Sequence, residues 1–95
     1  MKFEWDKNKA IENYRKHKIR FDNGIEVFRD PHSITIDDPD HSEDEQRFID
    51  IGASDKGHIL VVSYTERNHH IRIISCRKAT RDERKKYEEE NICSD

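Results

Sequence analysis

The sequence predicts an α+β fold: a central antiparallel sheet of about four to five strands, two helices near the N-terminus and one at the C-terminus. Three observations carry this. Two runs rich in β-branched residues, Ile59–Thr65 and Ile71–Cys76, are separated by the short polar stretch E-R-N-H-H, which suits a hairpin connection. Ala10, Ile11 and Tyr14 recur at a helical spacing near the start. Thr80 stands three residues before Glu83 at the head of a charged run, the pattern of a capping box.

Each element follows from local chemistry. Lys2–Trp5 alternates like a short strand, with Phe3 and Trp5 on one face. Asp6 is an N-cap for a first helix over Lys7–Lys16, whose last turn carries Lys16, His17 and Lys18. Cations there favour the negative end of the helix dipole, and the alternative is that they reach a basic site on the sheet. Phe21, Ile25 and Phe28 share a face of a second helix over Phe21–Arg29, which Gly24 weakens and Asp30-Pro31 stops. Ser33–Ile36 and Arg47–Gly52 read as strands on either side of an acidic loop. That loop lacks the ligand spacing and central glycine of a calcium-binding hand, so no metal site is expected. Within it, Asp40 and His41 form a possible proton-transfer pair. Ser54–Gly57 is a hairpin turn with glycine where positive φ is needed. The last helix begins after Thr80 and has almost no apolar stripe, leaving Ala79 and Tyr87 (with Ile92 beyond) as its anchors.

Composition bounds the rest. Ninety-five residues make one domain, residues 1–95, with a small core. Charged residues are 41% of the chain, yet the apolar ones cluster in strand-like runs, against general disorder. No stretch nears the ~20 apolar residues of a membrane span. The start, Met-Lys-Phe-Glu-Trp-Asp, is unlike a signal peptide. Cys76 and Cys93 then read as free thiols in a cytoplasmic protein, in no metal-ligand spacing. The overall charge of −3 hides a division: residues 1–29 are net +3, residues 30–57 net −7 and residues 58–86 net +5. A fold that joins the two basic thirds makes a surface for a polyanion.

Arginines punctuate the last third at positions 67, 72, 77, 81 and 84. Strict alternation puts Ile71, Ile73, Ser75 and Arg77 on one face of their strand, and Arg72, Ile74 and Cys76 on the other. Arg67, at the end of the preceding strand, is close to Arg72 across the turn. Guanidiniums converging on one sheet edge form a phosphate receptor, because each presents a planar fork of donors. The competing reading is that these arginines pair with nearby carboxylates.

V-V-S-Y-T-E-R followed by I-R-I-I-S-C-R-K-A-T-R-D-E-R-K-K-Y-E-E resembles the end of the BrnT toxins. F-E-W-D-K-N-K-A and N-Y-R-K-H-K-I-R-F resemble their start, and D-P-D-H-S-E-D-E-Q-R-F-I-D-I-G their central block. The likeness is in order over nearly the whole chain. It departs at His69-His70, in place of a short polar turn, at Cys76, in place of a small residue, and at Lys18, where glycine often ends the first helix.

The resemblance implies a RelE-like fold and a ribonuclease of a type II toxin–antitoxin pair that inhibits translation. It also implies silencing by a BrnA-type antitoxin, which alone contacts DNA, with no helix-turn-helix in this chain. Neither a cofactor nor a metal is implied. The reaction is attack of the RNA 2′-hydroxyl on its own phosphate. In this reading Arg67 and Arg77 clamp the phosphate and Arg72 assists or orients a carboxylate. Lys16 stabilises developing charge, and Glu66 is the base, with His17 and His70 as alternatives; the competing role for Glu66 is an ion pair with Arg67 or Arg72. His17, Lys18, His70, Arg81 and Tyr87 contact RNA. A non-catalytic module whose basic face only holds the antitoxin is the other reading.

Overall fold

Asp6 opens the first helix as expected: its Oδ1 accepts from the amides of Asn8 (2.8 Å) and Lys9 (3.2 Å). The computed structural model describes residues 2–38 and 45–91. Their elements are β1 (Lys2–Glu4), α1 (Lys7–His17), α2 (Phe21–Val27), β2 (Ile34–Asp37), β3 (Arg47–Ala53), β4 (Ile59–Arg67), β5 (His70–Lys78) and α3 (Arg81–Glu90). The Asp40–His41 pair, most of the acidic loop, Ile92 and Cys93 lie outside the described residues.

The sheet order is β1-β5-β4-β3-β2. It is mixed, not wholly antiparallel as expected, because β1 runs parallel to β5, with Lys2 opposite His70 and Glu4 opposite Arg72. The β4–β5 hairpin is tighter than E-R-N-H-H suggested. Only Asn68 and His69 form its turn, at φ 49° and 67°. Two successive left-handed residues match the right-handed twist of the strands they join.

α1 and α2 cover one face of the sheet. Phe21 and Val27 from α2 meet Leu60, Val62, Tyr64, Ile71, Ile73 and Cys76 in the main core. Half-buried rings extend it: Phe28 lies 5.2 Å from Phe3 and 4.9 Å from Tyr64, centroid to centroid. Gly24 is the contact point of α2 rather than a flaw in it. A Cβ there would lie 3.3 Å from Cys76 Sγ and 3.4 Å from Val62 Cγ2, so glycine lets the helix approach the strands.

β1 is too short to cover β5 beyond Arg72. Buried Asn13 of α1 fills the gap. Its Nδ2 donates to the carbonyls of Cys76 (2.7 Å) and Ile19 (3.0 Å), and its Oδ1 accepts from the Cys76 amide (3.0 Å). One side-chain amide thus satisfies both backbone groups that a strand would have paired.

The second face is covered in part by α3, which lies against β3 and has no buried residue of its own. Val61 and Ile51 on this face are buried. Polar contacts hold the helix: Tyr87 Oη donates to Asp30 (2.6 Å), Asn91 donates to the His32 carbonyl (2.9 Å), and Arg77 grips Glu83 with two nitrogens (2.7 and 2.8 Å). The Thr80–Glu83 capping box forms as the sequence predicts.

Candidate nucleic-acid interface

The register of β4 and β5 decides which arginines meet. Ser63 lies opposite Ser75 but Tyr64 opposite Ile73, so Ile74 is an extra residue, a β-bulge in β5. The bulge breaks strict alternation. Ile71, Ile73 and Cys76 all reach the helix-covered core, and Arg72, Ser75 and Arg77 turn to the second face. The division of faces read from alternation is therefore corrected beyond position 74.

A row of residues crosses the second face near the hairpin: Arg47 on β3, Thr65 on β4, Arg72 on β5 and Glu4 on β1. The next row holds Arg67, His70 and Lys2. Two arginines of the first row flank Thr65, roughly 10 Å apart across two strand spacings. The Thr65 hydroxyl is buried and makes no hydrogen bond within the described residues. An unpaired hydroxyl between two guanidiniums offers a further polar group to anything those cations bind.

Carboxylates already occupy these cations. Arg67 forms a two-pronged ion pair with Glu45 through Nε and Nη2. That hydrogen bond, with the charges of Arg67, Arg72 and Arg47, holds the Glu45 carboxyl below its ordinary range. Glu4 lies 3.6 Å from Arg72 and 3.9 Å from His70 Nδ1. Arg67 and Arg72 are thus brought together, each with its own carboxylate.

Other expected site residues lie elsewhere. Arg77 is opposite Val61, six residues along β4 from Arg67, or roughly 20 Å. It cannot share a phosphate with Arg67, and its guanidinium is bound to Glu83. The Arg67–Arg77 clamp is therefore corrected to an Arg67–Arg72 pair. Glu66 lies opposite Ile71 and so turns to the helix side, away from both arginines. Its expected roles, as base beside them or as their ion-pair partner, both fail on this geometry. Lys16 and His17 end α1, and Lys18 borders a groove with Lys78 and His58 at the opposite end of the sheet. None of the three reaches the hairpin arginines. Arg81 is exposed at the start of α3. Tyr87 is committed to Asp30, and burial with that hydrogen bond pushes its hydroxyl up to about 12. That hydrogen bond makes its hydroxyl part of what holds α3 to the fold.

Sequence reasoning missed Arg47, Thr65, Glu4 and Glu45. Their signal is register, which needs the bulge and the parallel β1 to be known. Among the described residues no group of three or more His, Cys, Asp or Glu is placed to hold a metal ion. No helix among them is long and apolar enough to cross a membrane.

Comparison with known proteins completes the description. The family model described as the ribonuclease toxin BrnT of type II toxin–antitoxin systems matches residues 5–83. The crystal structure of the Brucella abortus ribonuclease toxin BrnT is similar, with a TM-score of 0.66 and 25% identity, over 85% of this chain and 99% of that one. The sequence matches no curated protein significantly. On the family match, supported by the fold, this chain belongs to the BrnT ribonuclease toxins of type II toxin–antitoxin systems.

Proposed function

We propose that this chain is a metal-independent endoribonuclease that inhibits translation in the cytoplasm, acting as a single domain over residues 1–95. A BrnA-type antitoxin silences it, and DNA is reached only through that antitoxin. The observation that supports a catalytic patch on the second face is the convergence of Arg47, Arg67 and Arg72 around the buried Thr65 hydroxyl.

In this reading the scissile phosphate displaces Glu45 and Glu4 from Arg67 and Arg72. The guanidiniums then bind its non-bridging oxygens and offset the charge that builds as the 2′-oxygen attacks phosphorus. The 2′-oxygen loses its proton, the P–O5′ bond breaks, and the departing 5′-oxygen gains a proton. His70, on the same face as Arg72, serves one of these transfers, and Glu4 orients its ring. Lys16, Glu66 and Arg77 have no part in this site.

The test is cleavage of RNA by purified protein with a metal chelator present. Wild type is expected to cleave. Arg72→Ala is expected to lose about 10²–10³ in rate, and His70→Ala a comparable factor, with melting temperatures preserved. Cleavage abolished by the chelator removes metal independence. No cleavage even with ribosomes favours the second reading, a module that holds an acidic antitoxin segment. That reading draws on the fact that Arg67 and Arg72 already hold carboxylates.

A further inference from the structure

At the far end of the sheet from the hairpin, four cationic or imidazole side chains from separate segments border one groove of about 220 Å³. Lys18 comes from the end of α1, Lys56 and His58 from the β3–β4 turn, and Lys78 from the end of β5. Asn23 and Ser54 add polar groups, and no carboxylate lines the groove. Among the described residues Lys18, Lys56, His58 and Lys78 make no ion pair; Lys18 Nζ lies 5.8 Å from the Tyr14 ring centroid.

We propose that this groove is a second anion site, which takes a phosphoryl group. The argument rests on which cations the chain uses where. Arg15, Arg67, Arg72 and Arg77 all hold carboxylates, whose planar geometry fits a guanidinium fork. The groove has no guanidinium on its walls. Ammonium groups act as point charges that can approach a tetrahedral phosphate from several directions. Lys56 and Lys78 border the groove with no carboxylate on its walls, and a phosphate of about −1.5 to −2 supplies the counter-charge they lack there. The volume suits a phosphoryl group and is too small to seat a helix.

The site is separate from the proposed nuclease patch, so binding is read without cleavage. The whole chain is titrated by calorimetry with inorganic pyrophosphate, a nucleoside triphosphate, and a short DNA oligonucleotide with or without a 5′-phosphate. Saturable one-to-one binding of pyrophosphate is expected. The Lys56→Ala/Lys78→Ala variant should weaken it by about tenfold or more, and Arg72→Ala should leave it unchanged. Tighter binding of the triphosphate makes a free nucleotide the source, and binding only of the 5′-phosphorylated oligonucleotide makes it an RNA end. The proposal is overturned if no phosphate probe saturates, if the lysine variant binds like wild type, if Arg72→Ala removes the binding, or if hexaglutamate binds where pyrophosphate does not.

Discussion

Arg72 and Arg77 face the same side of the sheet although four residues, an even number, lie between them, because Ile74 bulges out of register. The bulge lets Ile71, Ile73 and Cys76 all stay in the core while both arginines stay on the second face. Deleting Ile74 removes the extra residue and restores alternation with each of these side chains on its present face. The deletion is therefore expected to keep cooperative thermal unfolding in circular dichroism, and loss of the transition would show that the bulge itself is needed. Ile74→Ala, at a half-buried position, should retain it as well.

Asn13 replaces a missing length of strand with a single amide, so its loss should be large for a polar residue. Asn13→Ala leaves the backbone of Cys76 unpaired on that edge and is expected to cost about 2–4 kcal/mol, at ~1–3 kcal/mol for each buried group left unsatisfied. Asn13→Asp should be no milder. It keeps an acceptor for the Cys76 amide but turns a carboxylate toward two carbonyls. Urea denaturation midpoints measure both.

Two carboxyls give opposite pH signatures. Asp50 is buried, and burial raises its carboxyl above the ordinary value despite hydrogen bonds from Thr35 (2.7 Å) and Tyr64 (2.9 Å). A carboxyl raised in the folded state favours folding at low pH and loses that contribution as pH rises through its folded value. Asp50→Asn keeps an oxygen for both donors. It should raise the melting temperature at pH 7, by roughly 4–8 °C per kcal/mol gained, and the gain should vanish in acid.

Glu83 behaves the other way. The Arg77 guanidinium, with the Thr80 contacts, brings its carboxyl down to about 2. Its contribution is present above the ordinary carboxyl range near 4.3 and fades as pH falls toward about 2. The pair is partly exposed, so after screening Glu83→Gln is expected to cost about 1–2 kcal/mol at pH 7. The cost should disappear near pH 2 in a series of melting curves.

Glu45 competes with any anion for Arg67. Glu45→Gln is expected to strengthen binding of a non-cleavable RNA analogue a few-fold at low salt, measured by fluorescence anisotropy. Unchanged affinity would mean that Arg67 lies off the RNA path.

The elements themselves were largely legible in the residues. Asp6 and Thr80 mark helix starts through oxygen acceptors that any sequence displays, and the β-branched runs mark β4 and β5. What stayed hidden were relations between elements. Nothing local announces that β1 runs parallel to β5, which brings Glu4 to Arg72. The bulge at Ile74 has no glycine to signal it, yet it decides the face of every residue after it. Arg47 and Thr65 look ordinary until register sets them beside Arg72. The Lys18 position, where the family resemblance anticipated glycine, proved to need a left-handed backbone. The groove beside it escaped notice because its lysines are far apart in the chain.

The parallel pairing of β1 with β5 also has a consequence for biosynthesis. Lys2 must wait for His70 before its strand has a neighbour. At about 5–20 residues per second on the ribosome, that delay is several seconds. The N-terminal strand therefore joins late, and the patch that depends on Glu4 is assembled only when most of the polypeptide has been translated.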